Sequence, residues 1–283
     1  MKLGGYVIHG NNRDTLGACL ESLRAVCDEV VALDSQSTDG SVELARSMGV
    51  RSVSHSWRGY GAARAAAVEA LGPCDYVLYL DSDERLAPEA LPVIRAWRDS
   101  HPAEPAYRLP CRDWAELKEH RFRYRTHWRA RLVRRDVAIW RPEMIVHEAL
   151  PRMPAPRLHA PIDHRFATSI EGRAEKEERY ALLWAVRAFA EGRRLKPAAL
   201  QRPAHLIRDC LIHGALWRGG LTALRLAWAV STYHSAKYRH LRALRQGGFP
   251  ELRKAFGEGR YGEVFALVRE ARTPETEARR GRS

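Results

Sequence analysis

Four short apolar runs alternate with stretches of helical spacing between residues 3 and 80, and that alternation leaves few folds open. The runs are Leu3–His9, Glu29–Leu33, Val50–Val53 and Asp75–Leu80. Between the first two, Leu16, Leu20, Leu23 and Cys27 recur at the three- to four-residue interval of a helix face over Thr15–Cys27. Val42–Met48 and the alanine-rich Gly61–Leu71 supply two further helices. A β-α-β-α-β-α-β order calls for a parallel sheet flanked by helices. Sheets of that kind bind ligands beyond the carboxyl ends of their strands. Two acidic clusters, Asp34–Asp39 and Asp81–Glu84, fall at that edge.

Each cluster has its own chemistry. Asp81-Ser82-Asp83 is a D-x-D triplet directly after an apolar strand. On an extended segment its two carboxylates face opposite ways, but at a strand end that turns both reach one ligand. Hard cations such as Mg2+ or Mn2+ take carboxylate oxygens and keep waters and substrate phosphates as their other ligands. The competing reading is a solvated turn whose carboxylates cap the helix beginning near Pro88. The second cluster, Asp34-Ser35-Gln36-Ser37-Thr38-Asp39-Gly40-Ser41, offers carboxylates, hydroxyls and a glycine at a strand-to-helix junction. Such groups hydrogen-bond a nucleoside base and ribose, and Ser37 or Asp39 can also cap the helix from Val42.

The middle of the chain is less regular. Ala106–Pro110 and Arg131–Val133 have strand character, and Pro151, Pro154, Pro156 and Pro161 mark a boundary. Beyond Ser169 the spacing turns helical, over Glu171–Arg194 and from Pro203 to about Arg245, with a break at Gly219-Gly220. The expected organisation is an α/β domain over 1–165, a helical basic appendage over 166–272 and a frayed tail over 273–283. In the appendage, Arg218, Arg225 and Arg239 are offset by multiples of seven and so share a helix face, with Leu221, Leu224, Trp228 and Tyr238 as apolar partners. A basic amphipathic helix of that kind can lie on an anionic membrane, or simply present a solvated face.

Over Tyr6–Leu86 the chain resembles the donor-binding half of an inverting family 2 glycosyltransferase with the GT-A fold. The residues that carry the likeness are Ile8–Leu16, Leu20–Leu23, Val30–Ser41, Trp57-Arg58-Gly59, Arg64 and Tyr76–Glu84. Within that family it resembles most the enzymes that add glucose to the lipopolysaccharide inner core. Arg131-Leu132-Val133-Arg134-Arg135, Val146-His147-Glu148 and His164-Arg165-Phe166 are similar to their later motifs. The resemblance implies that Asp34, with Ser37 and Asp39, meets the base or ribose of a UDP-sugar. It implies that Arg64 lines the donor site, that Asp81 holds ribose or metal, and that Asp83 ligates Mg2+ or Mn2+. Glu148 is then the general base that deprotonates an acceptor hydroxyl. The implied acceptor is an anionic glycolipid or a phosphorylated sugar, and the implied location is the cytoplasm, peripheral to the inner membrane. The chain departs from the family pattern where Asn12, Ala65 and the His127-Trp128-Arg129-Ala130 stretch replace a glutamate, an asparagine and an aspartate-bearing segment.

Charge and cysteine content narrow the alternatives. A formal net charge of +13 favours an anionic partner. The basic residues are dispersed and fit no nucleic-acid-binding motif, so no nucleic acid is expected. A nucleotidyltransferase would call for a Gly-rich, Lys-containing phosphate loop, and Gly10-Asn11-Asn12-Arg13 is a poor one. The five cysteines include no CxxC pair, which argues against a zinc site or a disulfide framework. The apolar start is too short for a secretory signal, and no window is long enough to span a membrane.

Overall fold

The computed structural model describes residues 1–270 apart from 119, 143, 147 and 196–200. His147 of the Val146-His147-Glu148 motif and the expected tail over 273–283 lie outside the described residues. The chain forms two compact units: Met1–Ser169 with Arg208–Leu224, and Ile170–Ile207 with the chain from Arg225 onward. The stretch 208–224 therefore belongs with the α/β unit.

The first unit opens with β1 (Leu3–His9), α1 (Arg13–Arg24), β2 (Glu29–Asp34), α2 (Ser41–Ser47), β3 (Arg51–Ser54), α3 (Tyr60–Ala70) and β4 (Tyr76–Asp81). Short β5 (Glu84–Leu86) and α4 (Ala90–Asp99) precede the long strands β6 (Ala106–Leu117) and β7 (His120–Arg134), and β8 (Ile162–Ala167) comes last. The eight strands make one sheet in the order β3-β2-β1-β4-β7-β6-β8-β5. β1, β2, β3 and β4 run parallel. The β6–β7 hairpin brings antiparallel pairing, so the sheet is mixed. The expected strands at 106–110 and 131–133 are the outer ends of this one hairpin.

Burial on both faces explains the near-continuous apolar runs. Leu3, Val7, Leu78 and Leu80 point into a core with Leu16, Leu20 and Leu23 of α1 and Ile94 and Trp97 of α4. Tyr6, Ile8, Val77 and Tyr79 point to the other side, against Ala63 and Ala67 of α3 and Trp140. Parallel registration then aligns the strand ends: Ile8 pairs with Asp81, and His9 with Asp34.

The start of α3 is fastened to the segment that leads to Glu148. The amide of Gly61 donates to Met144 O at 2.9 Å, and that of Tyr60 to Ile145 O at 3.3 Å. A Cβ on Gly61 would collide with the carbonyl of Arg141 and stand 2.9 Å from Met144 O. Gly61→Ala is therefore expected to destabilise by about 1–3 kcal/mol through overpacking. Denaturant titration checks this, and an unchanged midpoint would contradict the close approach.

The second unit is helical. It holds α5 (Ile170–Ala190), α6 (Gln201–Ile207), most of α7 (Ala215–Arg245), α8 (Pro250–Gly257) and α9 (Tyr261–Glu270). Trp184 of α5 packs edge-on to Tyr238 of α7, and Glu178 accepts from Arg239 at 2.6 Å and meets His240 at 2.8 Å. α7 is bent at Gly220, whose φ of 53° is non-helical. The single basic face expected over 218–239 is thus interrupted: Tyr238 is buried, and Arg239 is paired inside the unit.

Candidate active site

The carboxyl ends of β1, β2 and β4 carry His9, Asp34 and Asp81. Just beyond β2, the loop from 34 to 41 is tied to the loop before α1. Ser37 Oγ accepts from the Asn11 amide at 2.8 Å, and Asn11 Oδ1 accepts from the Thr38 amide at 2.7 Å. Asp39 accepts from Ser41 Oγ at 2.5 Å and from the Arg13 amide at 2.9 Å. Asp34 accepts from the Ser37 amide at 3.1 and 3.2 Å, and its Oδ1 lies 3.6 Å from buried His9 Nδ1. Desolvation keeps the His9 pKa below its ordinary value despite Asp34 and Asp39. Asp34, Ser37 and Asp39 are therefore on one internally bonded loop, and all three spend side-chain atoms on holding its shape.

A second constellation forms at the end of β4. Asp81 receives two guanidinium groups: Arg64 Nη2 reaches Oδ1 at 2.6 Å, and Arg131 Nη2 reaches Oδ2 at 2.8 Å. Arg64 also donates from Nε to Glu148 Oε1 at 2.7 Å, so one side chain of α3 joins the end of β4 to the loop after residue 141. Arg131 donates to Glu84 Oε1 at 2.5 Å, and Glu84 accepts the Asp81 amide at 3.0 Å. Both arginines lie about the ring of Tyr79, each 5.0 Å from its centroid. The arginines and Glu84 are buried, whereas the Asp81 side chain keeps 32% of its surface open. Burial opposes ionisation of Asp81, but Arg131 and Arg64 outweigh it and hold the carboxyl well below the usual range. For Glu84 burial wins over Arg131, and its pKa rises. Glu84 is the wholly structural member of the acidic cluster.

Asp83 faces a third group. His164 Nε2 of β8 is 3.5 Å from Asp83 Oδ2, and its Nδ1 is 2.7 Å from Asp113 Oδ1 of β6. Arg125 holds the other Asp113 oxygen at 2.6 Å. Burial disfavours the charged imidazole, but Asp83 and Asp113 override it and push the His164 pKa up to about 10. The chain of contacts continues through Arg125 to Asp209, 3.6 Å away, which also accepts from Tyr124 OH at 2.8 Å.

Of the residues expected in the site, Asp81 and Glu148 both meet Arg64, Asp34, Ser37 and Asp39 share a loop, and Asp83 contacts His164. Sequence reasoning did not single out Asp113, Arg125 or Asp209. Among the described residues, no group of three or more His, Cys, Asp and Glu side chains forms a ready-made metal cage. A cation held mainly by substrate oxygens and water needs less. Asp83 is a carboxylate that fits, and His164 beside it would have to give up its Nε2 proton to join it, whereas both Asp81 oxygens are taken by arginine.

The sheet thus gathers carboxylates and arginines beyond its parallel strand ends, where open α/β sheets bind their ligands. Residues 7–146, just under half of the chain, match Glycosyl transferase family 2, and this stretch is a domain of that family. It is 28% identical over 247 residues to the lipopolysaccharide core biosynthesis glycosyltransferase LpsC of Rhizobium meliloti, covering 82% of this chain and 89% of that one. It is 34% identical over 100 residues to an uncharacterized glycosyltransferase of Rickettsia conorii, covering 35% of each. The match thus spans about a third of the length of the first curated relatives, 35% of the Rickettsia conorii protein. Mannosyl-3-phosphoglycerate synthase from Rubrobacter xylanophilus superposes over 40% of this chain and 41% of its own, at 22% identity and a TM-score of 0.35. Glucosyl-3-phosphoglycerate synthase from Mycobacterium tuberculosis, solved with Mn2+, UDP and glucosyl-3-phosphoglycerate, covers 40% of this chain and 44% of its own, at 23% identity and a TM-score of 0.33.

Proposed function

We propose that the protein is a metal-dependent inverting glycosyltransferase that moves a sugar, glucose in the first instance, from a UDP donor to a lipid-linked or phosphorylated sugar in cell-envelope glycan synthesis. The observation that carries this reading is Arg64, which ties Asp81 at a strand end to Glu148 through contacts of 2.6 and 2.7 Å. One guanidinium thereby sets a donor-side carboxylate and a base candidate in fixed relation. The family 2 domain and the similarity to a lipopolysaccharide core enzyme support it.

Asp34 and the loop bearing Ser37 and Asp39 take the base and ribose. Asp81, partly open to solvent and oriented by two arginines, would meet the ribose, and would have to give up a guanidinium contact to join a cation. Asp83 would hold Mg2+ or Mn2+, with His164 as a second donor once its Nε2 is deprotonated. The cation supplies neutralisation of the leaving diphosphate. Glu148 takes the proton of the acceptor hydroxyl as its oxygen bonds to the anomeric carbon and the bond from that carbon to the diphosphate oxygen breaks. Arg64 keeps Glu148 aimed. A lipid-linked acceptor brings the enzyme to the cytoplasmic face of a membrane, as a peripheral protein.

Thermal shift tests the donor half. UDP and UDP-glucose with Mn2+ should stabilise the protein, by about 2.7 kcal/mol at a ligand concentration of about 100 Kd. GDP and GDP-mannose should do less, and Asp83→Ala should remove the metal-dependent part. Absence of any nucleotide response would overturn the proposal.

A further inference from the structure

The stretch 208–224 is held firmly along one side. Asp209 is buried and accepts from Tyr124 OH at 2.8 Å. Arg218 donates to the carbonyls of Arg123 and Tyr124 in β7, the second at 3.1 Å. A Cβ on Gly219 would stand 2.7 Å from the ring of Phe122, so the backbone lies close on that ring. What this well-anchored stretch turns outward is apolar. Leu211 and Leu224 are exposed, and Ile212, Trp217 and Leu221 keep 76%, 79% and 72% of their surface open. Large exposed apolar clusters on a folded surface mark interaction sites.

Charge identifies the partner. Across residues 210–224 of the first unit the sequence has no acidic residue, and it carries Arg218. Within the first unit the stretch is flanked by Arg208 and bonded to a strand that bears Arg121 and Arg123. A bilayer with anionic headgroups accepts both parts, since Trp, Leu and Ile settle at the headgroup–acyl boundary while arginines stay among the phosphates. No described helix is long and apolar enough to cross a membrane, so the contact is in the interfacial plane.

We infer that residues 211–224 form a membrane-docking surface that inserts Ile212, Trp217 and Leu221 into the interface of an anionic phospholipid bilayer. This deepens the functional reading above, from which it takes the lipid-linked acceptor, but it stands on its own observations. The experiment is flotation of the full chain with phosphatidylcholine vesicles, with and without phosphatidylglycerol, at low and high salt. The native chain should float with the anionic vesicles at low salt, and the double variant Trp217→Ser/Leu221→Ser should bind at least about tenfold more weakly. No flotation of the native chain would overturn the inference, as would equal flotation of the variant. So would a native oligomer that the variant dissolves without any lipid binding. The UDP-induced thermal shift, measured on both proteins without vesicles, separates the two readings. A retained shift with no flotation removes the docking surface alone. Flotation with no shift in either protein removes the donor assignment and leaves the surface standing.

Discussion

Arg131→Ala should lower stability by about 3–5 kcal/mol, the range for removing one partner of a buried ion pair. In a chain of this size that is a fall in Tm of roughly 6–20 °C. The loss follows from the position of Glu84. Its carboxylate is buried below the acidic turn, accepts the Asp81 amide at 3.0 Å and receives Arg131 at 2.5 Å. Without Arg131 a charge remains in the interior with a single amide for company. The sign of the pH dependence is fixed by the same argument. Burial already raises the Glu84 pKa above its ordinary 4.5 with Arg131 in place, and removing the arginine raises it further. A carboxyl whose folded pKa exceeds its unfolded value is penalised at high pH and relieved as pH falls. The deficit of Arg131→Ala should therefore shrink as pH is lowered toward 4.5. Glu84→Gln combined with Arg131→Met should recover much of it, since the buried charge is gone. A Tm for Arg131→Ala that matches the native protein at neutral pH would refute this account.

Glu148→Gln should reduce kcat by about 10²–10⁴-fold, the span of general acid–base assistance, and leave UDP affinity little changed. Glutamine retains an oxygen to accept from Arg64 Nε, now at 2.7 Å from Glu148 Oε1, so the local geometry survives. What is lost is the capacity to take a proton. Arg64→Met provides the contrast. It releases both Glu148 and Asp81, and so should weaken UDP binding as well as turnover. Sugar transfer from UDP-glucose, followed by UDP release, reads both variants. Native turnover in Glu148→Gln would eliminate it as the base.

The parallel half of the fold is legible in the sequence because each strand there is buried on both faces and each helix has one apolar stripe. Leu3–His9 and Glu29–Leu33 declare themselves by apolar runs alone, and Leu16, Leu20 and Leu23 by spacing. The hairpin is harder to read because β7 is rich in charge, with Arg121, Arg123, Arg125 and Arg129, so that its short alternation through buried Phe122 and Tyr124 is easily passed over. Yet β6 did contain a signal. Its buried residues follow a period of two through Leu109, Cys111, Asp113, Ala115 and Leu117. A carboxylate in that register has to be paired, and Asp113 is, to His164 and Arg125. Asp209 gave less warning, because its partners Tyr124 and Arg125 in β7 lie about 85 residues earlier in the chain. The acidic motifs located the strand ends correctly, but their residue types alone could not separate Glu84, sealed under Arg131, from Asp81, which faces outward.

The α/β unit is not contiguous in the chain. It takes up residues to Ser169, is left for the helical stretch to Ile207, and resumes from Arg208 to Leu224. During synthesis the sheet can assemble while Asp209 is still to be made. Until then Tyr124 and Arg125 lack the carboxylate that joins them in the finished protein. The fastenings made by Asp209 and Arg218 are thus delayed past all of α5 and α6. Shortening the chain after Ser169 would yield a sheet without its final clasp, whereas a cut placed beyond Leu224 leaves every segment of the unit present.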